Sequence, residues 1–328
     1  MNRFLTITAV LLTALSTFSG CKDNSSTTTG GGGGNTDGKK QRVFVMVPKG
    51  IHVYYEGCKE GFDAAGAKLS VKTDYQAPQD FKLDQQINVI ESLISRKVDG
   101  IAVSANEDEG LTNVIKQAQA AGVKVVSFDS AATAAGCYIG TMNEEAGYQA
   151  GLELIKLMNN EGELAILQGN LAAPNLNERF AGIERALKEK NSKIQIVARE
   201  DVQSKKNIAQ DKTESLLQAK PNLKAIFGLS AECAPGAAPA IAEQKKSGKV
   251  LLGGFDDDPD TLAAIKSGNA QFCLAQKTYK MGWLCVAKLN ELCDGKAVEK
   301  QIDTGVILIT KENVDTYKEQ IKSEFASK

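Results

Sequence analysis

Val123-Lys124-Val125-Val126-Ser127-Phe128 is a short run rich in β-branched residues, with the turn signal Ala121-Gly122 before it and a carboxylate, Asp129, directly after it. Its apolar character is nearly continuous, as in a strand covered on both faces of a parallel sheet. Upstream, Leu111, Val114, Ile115 and Ala118 recur at helical spacing and put one apolar stripe on a helix. The same pattern precedes it. Val43 to Val47 and Ile101 to Val103 read as strands, Leu83, Ile87, Ile90 and Ile94 form a helical stripe between them, and Asp99-Gly100 is a turn signal. Strand and helix in alternation make an α/β unit with a parallel sheet.

The alternation then restarts. Leu164 to Leu167, Ile194 to Val197, Ala225 to Leu229 and Val250 to Phe255 read as strands, separated by helical stretches around Glu178 to Lys188, Ile208 to Leu217 and Pro235 to Lys245. Two consecutive alternations of similar length predict two similar lobes rather than one large sheet. In such sheets ligands sit beyond the carboxyl ends of the strands, so the residues just after each strand are the candidates. They are His52, Tyr54 and Tyr55 after the first strand, and Asp129 and Ser130 after Phe128. In the second half they are Asn177 and Arg179, Ser230 and Glu232, Asp256, and Gln276 after the run Phe272 to Ala275.

Carboxylates accept two hydrogen bonds from adjacent hydroxyls, Asn and Gln both donate and accept, and aromatic rings cover a C–H face. Together these groups suit a polyhydroxylated ligand. Each also has a plainer reading: Tyr54 and Tyr55 as core residues of the first helix, Arg179 as half of a surface ion pair. Asp256-Asp257-Asp258 invites a calcium reading, but Asp258 before Pro259 is the pattern of a helix N-cap with proline at N1. No metal site and no cofactor are expected.

The chain begins Met1-Asn2-Arg3, continues with an apolar run from Phe4 to Leu15, and reaches Cys21 through Ser16, Thr17, Ser19 and Gly20. That is the layout of a secretory signal, and its ending resembles a bacterial lipoprotein signal, in which the cysteine (here Cys21) is cleaved free and acylated. Residues 22–41 are rich in Ser, Thr, Gly, Asn and Lys, with Gly30 to Gly34 in one run, a composition expected to stay disordered. As a tether it has a reach of roughly 25 Å. The remaining body is long enough for two ordinary domains. A net charge of -1 with evenly spread basic residues excludes an electrostatic footprint for nucleic acid. The single histidine rules out a two-histidine metal site, and Gly228-Leu229-Ser230-Ala231-Glu232 fails as a nucleophile elbow at its last position. The glycine run lies in the tether rather than between a strand and a helix, so it is no dinucleotide fingerprint. The chain is not expected to be an enzyme.

Taken in order, Tyr54-Tyr55 with Gly61, Val98-Asp99-Gly100-Ile101, Val125-Val126-Ser127-Phe128-Asp129, Leu167-Gln168-Gly169, Asn177-Glu178-Arg179 with Gly182, Gly253-Gly254-Phe255-Asp256, Leu274-Ala275-Gln276, and Thr304-Gly305-Val306 to Asn313-Val314 resemble the periplasmic sugar-binding proteins of ABC importers. The resemblance is to the ribose- and galactose-binding type, whose core is shared with lactose-repressor-like regulators. It implies a type I periplasmic binding protein fold: two doubly wound parallel-sheet lobes joined by a three-segment hinge. The implied roles are a sugar sandwiched by Tyr54 and Tyr55, a polar contact from His52, and hydrogen bonds from Asp129, Asn177, Asp256 and Gln276. Ser130 stands where the ribose binders carry arginine, and Ser230-Ala231 where they carry Asn-Asp. The ligand expected is therefore a neutral monosaccharide other than ribose.

The resemblance also implies chain crossings near Met142-Asn143, Gln276-Lys277 and Asp303-Thr304. The lobes would be 42–141 plus 277–303, and 142–276 plus 304–328. The partners implied are a sugar and an ABC permease, with the protein a monomer anchored by lipid in the periplasm or on the outer face of the cell membrane. The alternative is a sensor subunit for a chemoreceptor or kinase. If the first lobe is wound like flavodoxin, helices starting near Tyr54 and Thr278 lie side by side and bring Cys58 level with Cys285. That pair is then expected to be able to form a disulfide; otherwise the six cysteines beyond Cys21 are small buried apolar side chains.

Overall fold

The computed structural model of the chain describes residues 41–326. The expected export signal, Cys21 and residues 22–40 of the expected tether lie outside the described residues. In chain order the elements are β1 (Val43–Val47), α1 (Tyr54–Leu69), β2 (Lys72–Tyr75), α2 (Leu83–Ser95), β3 (Gly100–Val103), α3 (Asp108–Ala120), β4 (Lys124–Phe128), β5 (Tyr138–Gly140), α4 (Asn143–Leu157), β6 (Glu161–Gln168) and α5 (Pro174–Glu189). There follow β7 (Lys193–Asp201), α6 (Lys206–Ala219), β8 (Leu223–Gly228), α7 (Cys233–Glu243), β9 (Leu251–Phe255), α8 (Pro259–Ser267), β10 (Phe272–Gln276), α9 (Thr278–Cys293), β11 (Gln301–Asp303), β12 (Val306–Thr310) and α10 (Tyr317–Ser323).

These elements form two α/β lobes with flanking helices, each built on a six-stranded sheet, ordered β11-β5-β4-β3-β1-β2 and β12-β10-β9-β8-β6-β7. The first sheet is parallel throughout. In the second, β12 runs antiparallel to β10, because the chain re-enters that sheet straight from β11 through Thr304 and Gly305 with no helix to turn it. The chain passes between sheets after β5, after β10 and after β11. Central strands such as β1 and β4 are buried on both faces, with an apolar cluster on each side of each sheet.

Two helix pairs pack backbone to backbone. A Cβ on Gly61 of α1 would collide with the Tyr279 carbonyl of α9, and one on Gly282 of α9 with the Cys58 carbonyl of α1. The second lobe repeats the device, with Gly147 of α4 against the Arg179 carbonyl of α5 and Gly182 of α5 against the Glu144 carbonyl of α4. Only hydrogen fits at these four contacts.

The end of the chain departs from the expected lobe boundary. Tyr317 and Ile321 of α10 belong to a second-lobe cluster, whereas Phe325 is buried in the first lobe's cluster with Cys58, Phe62 and Trp283. The six cysteines among the described residues are free, Cys293 half-buried and the others buried. Cys58 and Cys285 are therefore thiols here, on the side-by-side helices α1 and α9 as expected, and burial pushes both well above the usual thiol range.

Candidate functional site

Asp129 and Asp256 occupy the same place in their respective lobes, directly after β4 and β9, and both adopt left-handed backbone, φ +57° and +65°. That conformation costs a non-glycine residue energy and turns the side chain away from the line of the strand. Each N–H is still satisfied across the sheet, Asp129 by Ile139 O at 3.2 Å and Asp256 by Leu274 O at 2.9 Å. The hydroxyl of Tyr138 donates to the Asp129 carbonyl at 2.9 Å.

Both carboxylates are half engaged. Asp129 Oδ2 accepts from Ser104 Oγ at 2.7 Å and from Tyr55 Oη at 3.1 Å. Asp256 Oδ1 accepts from Gln276 Nε2 at 3.0 Å. Asp129 Oδ1 and Asp256 Oδ2 have no hydrogen-bond partner among the described residues. Burial pushes the Asp256 carboxyl up from its ordinary range, with the Arg179 guanidinium and Gln276 acting in the opposite direction.

Arg179 is 3% exposed. Its Nε donates to Asn143 Oδ1 at 3.0 Å and its Nη1 to Leu229 O at 2.8 Å, and its guanidinium lies 3.8 Å over the Phe255 ring. It forms no ion pair within 4.0 Å among the described residues, and its Nη2 is uncommitted. Lys49, just past β1, holds its Nζ 3.9 Å from Asp129 Oδ2, too long for a hydrogen bond. Two adjoining cavities of about 760 and 810 Å³ share Lys49, Asp129, Asn175, Arg179 and Gln276 as a common seam. His52, Tyr54, Tyr55, Ser230, Glu232 and Asp256 line the first, and Ser130 the second. Residues from both lobes thus face one polar cleft.

The family model for the periplasmic binding protein domain matches residues 43–297. The chain belongs to the periplasmic binding protein family. Among family members it is similar to the ribose import binding protein of Bacillus subtilis, 26% identical over 259 residues, covering 78% of this chain and 83% of the relative. Among solved structures it resembles the arabinose binding protein of Geobacillus stearothermophilus, with 31% identity, TM-score 0.79, and 84% and 98% of the two chains covered. It also resembles a solute binding protein of Burkholderia graminis in complex with D-arabinose, with 36% identity, TM-score 0.74, and 84% and 97% covered.

Within this periplasmic binding protein, the site residues read from sequence divide by position. Tyr54, half-buried, stands edge-on to Tyr55 with ring centroids 5.2 Å apart, while Tyr55 is packed edge-on against Phe128 at 6.0 Å and anchors Asp129 through its hydroxyl. Tyr55 is as much a brace for the acid as a wall of the cleft. His52 is exposed; its Nδ1 accepts from Tyr54 N at 3.1 Å and its ring meets Phe81 edge-on at 6.2 Å. Ser230 Oγ donates to Glu232 Oε1 at 2.8 Å. Asp258 caps α8, accepting from Asp260 N at 2.9 Å, as its sequence context implied. The acidic run is no metal cluster among the described residues.

Asn177 is not brought to the cleft. Its Oδ1 accepts from Gln168 Nε2 at 3.0 Å and from Arg199 Nη2, and its Nδ2 donates to Leu171 O at 3.1 Å. On α5, Asn175 and Arg179 are four apart and share the cleft face, whereas residue 177 lies about 200° around the helix from either. Sequence reasoning missed Asn175, Lys49 and Ser104. Lys49 had a usable signal, its position two residues beyond the end of β1. Ser104, directly after β3, had the same signal, but it is buried and braces Asp129 from behind.

Proposed function

We propose that the chain is the exported solute-binding component of an ABC importer, capturing a neutral monosaccharide between its lobes and delivering it to the permease. The observation that carries this reading is the pairing of Asp129 and Asp256 from opposite lobes in one cleft. Each has one oxygen tied down and one uncommitted, so each offers a fixed acceptor for a sugar hydroxyl. Lys49 and Arg179 offset their charge at the seam, which favours a neutral ligand over a sugar acid. Tyr54 supplies the apolar face. The sugar partners of relatives, ribose in the Bacillus subtilis protein and D-arabinose in the Burkholderia graminis structure, agree with that class. Ser130 contributes no long donor beside Asp129, so a sugar other than ribose is the expected ligand.

The lobes move as hinged bodies, with 42–141 plus 277–303 in one and 142–276 plus 304–328 in the other, apart from the chain end, which packs on both. The protein works as a monomer held to the membrane by acylated Cys21, with residues 22–41 as its tether. No helix among the described residues is long and apolar enough to cross a membrane.

The test is a calorimetric and thermal-shift screen of pentoses, hexoses, polyols and amino acids, repeated on Asp256→Ala. Losing one charged acceptor in a desolvated cleft costs about 1.5–3 kcal/mol, or roughly ten- to a hundredfold in affinity. Tight ribose binding overturns the ligand assignment, preference for amino acids overturns the sugar class, and undiminished affinity in the variant overturns the site.

A further inference from the structure

The C-terminal segment ends on a different lobe from the one that roots it. Tyr317 and Ile321 are buried in the second lobe with Ile309 and Val314, and Tyr317 Oη donates to Asp257 Oδ2 at 2.7 Å, next to the cleft acid Asp256. Just downstream the chain is fastened to the first lobe. Phe325 is 4% exposed, its ring centroid 4.8 Å from that of Trp283 and 6.0 Å from that of Tyr279. Lys322 Nζ meets Glu60 Oε1 of α1 at 2.6 Å. Glu324 pairs with Lys277 at 2.6 Å, at the crossing from β10 to α9, and lies 3.8 Å from Lys280. Tyr279 packs against clusters of both lobes.

We infer that residues 317–326 form a noncovalent strap across the two lobes that limits how far the cleft opens. Tyr317, Lys318, Ile321 and Lys322 line the same cavity as Tyr54 and Asp256. The strap therefore stands at the edge of the cleft, and opening that parts α1 from the loop carrying Asp257 lengthens the path between its two anchors, Tyr317 on Asp257 and Lys322 on Glu60. A helical turn has a fixed rise and does not stretch. Wider opening must draw Phe325 out from Trp283 and part Lys322 from Glu60. The ion pairs are exposed enough to be weak restraints on their own; the buried phenyl ring is the stronger hold.

Only the effect on affinity rests on the proposed sugar capture; the effect on lobe separation stands without it. The test is small-angle X-ray scattering on the unliganded full chain, with D-arabinose and D-allose titrations alongside. The variants are Phe325→Ala with Lys322→Ala, Lys322→Glu alone, and Lys322→Glu with Glu60→Lys. The first is expected to raise the radius of gyration and to weaken sugar binding about three- to tenfold, because a smaller fraction of molecules presents a binding-competent cleft, and Lys322→Glu alone is expected to shift both in the same direction by less. The charge swap is expected to return both values toward the parent. Unchanged scattering in variants that still unfold cooperatively near the parent's melting temperature overturns the strap. If neither sugar binds the parent, the titration bears on the ligand reading alone and the scattering still decides the strap.

Discussion

Asp129 and Asp256 have a left-handed backbone that their side chains do not favour, so the surrounding contacts must hold them there. For Asp256 the electrostatics add a measurable consequence. Burial raises its carboxyl above the ordinary value of 3.8, so the folded chain binds this proton more tightly than the unfolded chain does. Stability of the unliganded protein then rises as pH falls through the folded pKa toward 3.8, and this contribution is lost as pH rises again. Asp256→Asn is expected to raise the melting temperature at pH 7, with the gain shrinking toward pH 4, while sugar affinity falls; melts across pH paired with calorimetry check both. Ser104→Ala removes one brace of Asp129 without touching the cleft lining. It is expected to cost roughly 0.5–1.5 kcal/mol of binding, two- to tenfold, as read by calorimetry. The acids were legible in the sequence because each directly follows an unmistakable apolar strand. Asn177 misled because position after a strand says nothing about rotation around the following helix, and its partner Arg199 comes from β7, a strand whose own sequence gives no hint of that contact.

At the scale of elements, the central strands and the helical stripes announced themselves through their apolar residues. β2, with sequence Lys-Thr-Asp-Tyr, did not, since it is a half-exposed edge strand whose pairing with β1 comes from the backbone. The three-residue strands β5 and β11 are likewise too short for any periodicity. The reciprocal glycines matter more for function than the sheet edges do. α1 carries Tyr54 and Tyr55, and α5 carries Arg179, so the close helix contacts fix where the cleft groups stand. Gly282→Ala is expected to force α9 from α1 and destabilise the fold by about 1–3 kcal/mol, as measured by denaturant unfolding. Gly147→Ala presses on the backbone of Arg179 itself, so its expected effect includes weaker sugar binding in protein that remains folded.

For the whole molecule, the alternation of strand and helix foretold two lobes, whereas the three crossings followed from family resemblance, because nothing in residues 277–303 says which sheet they will join. That interleaving has a consequence for how the protein is made. Met281, Cys285, Val286 and Leu289 of α9 complete the core that Phe44, Cys58 and Phe62 begin, and β11 supplies the outer strand beside β5. The part of the first lobe made before β6 is thus finished by a part made after β10, with the second sheet up to β10 emerging in between. A nascent chain ending at Gln276 lacks the α9 side chains that pack on α1, so the first lobe closes its core only after residues beyond 277 have emerged, and until then its apolar face is open to misassembly.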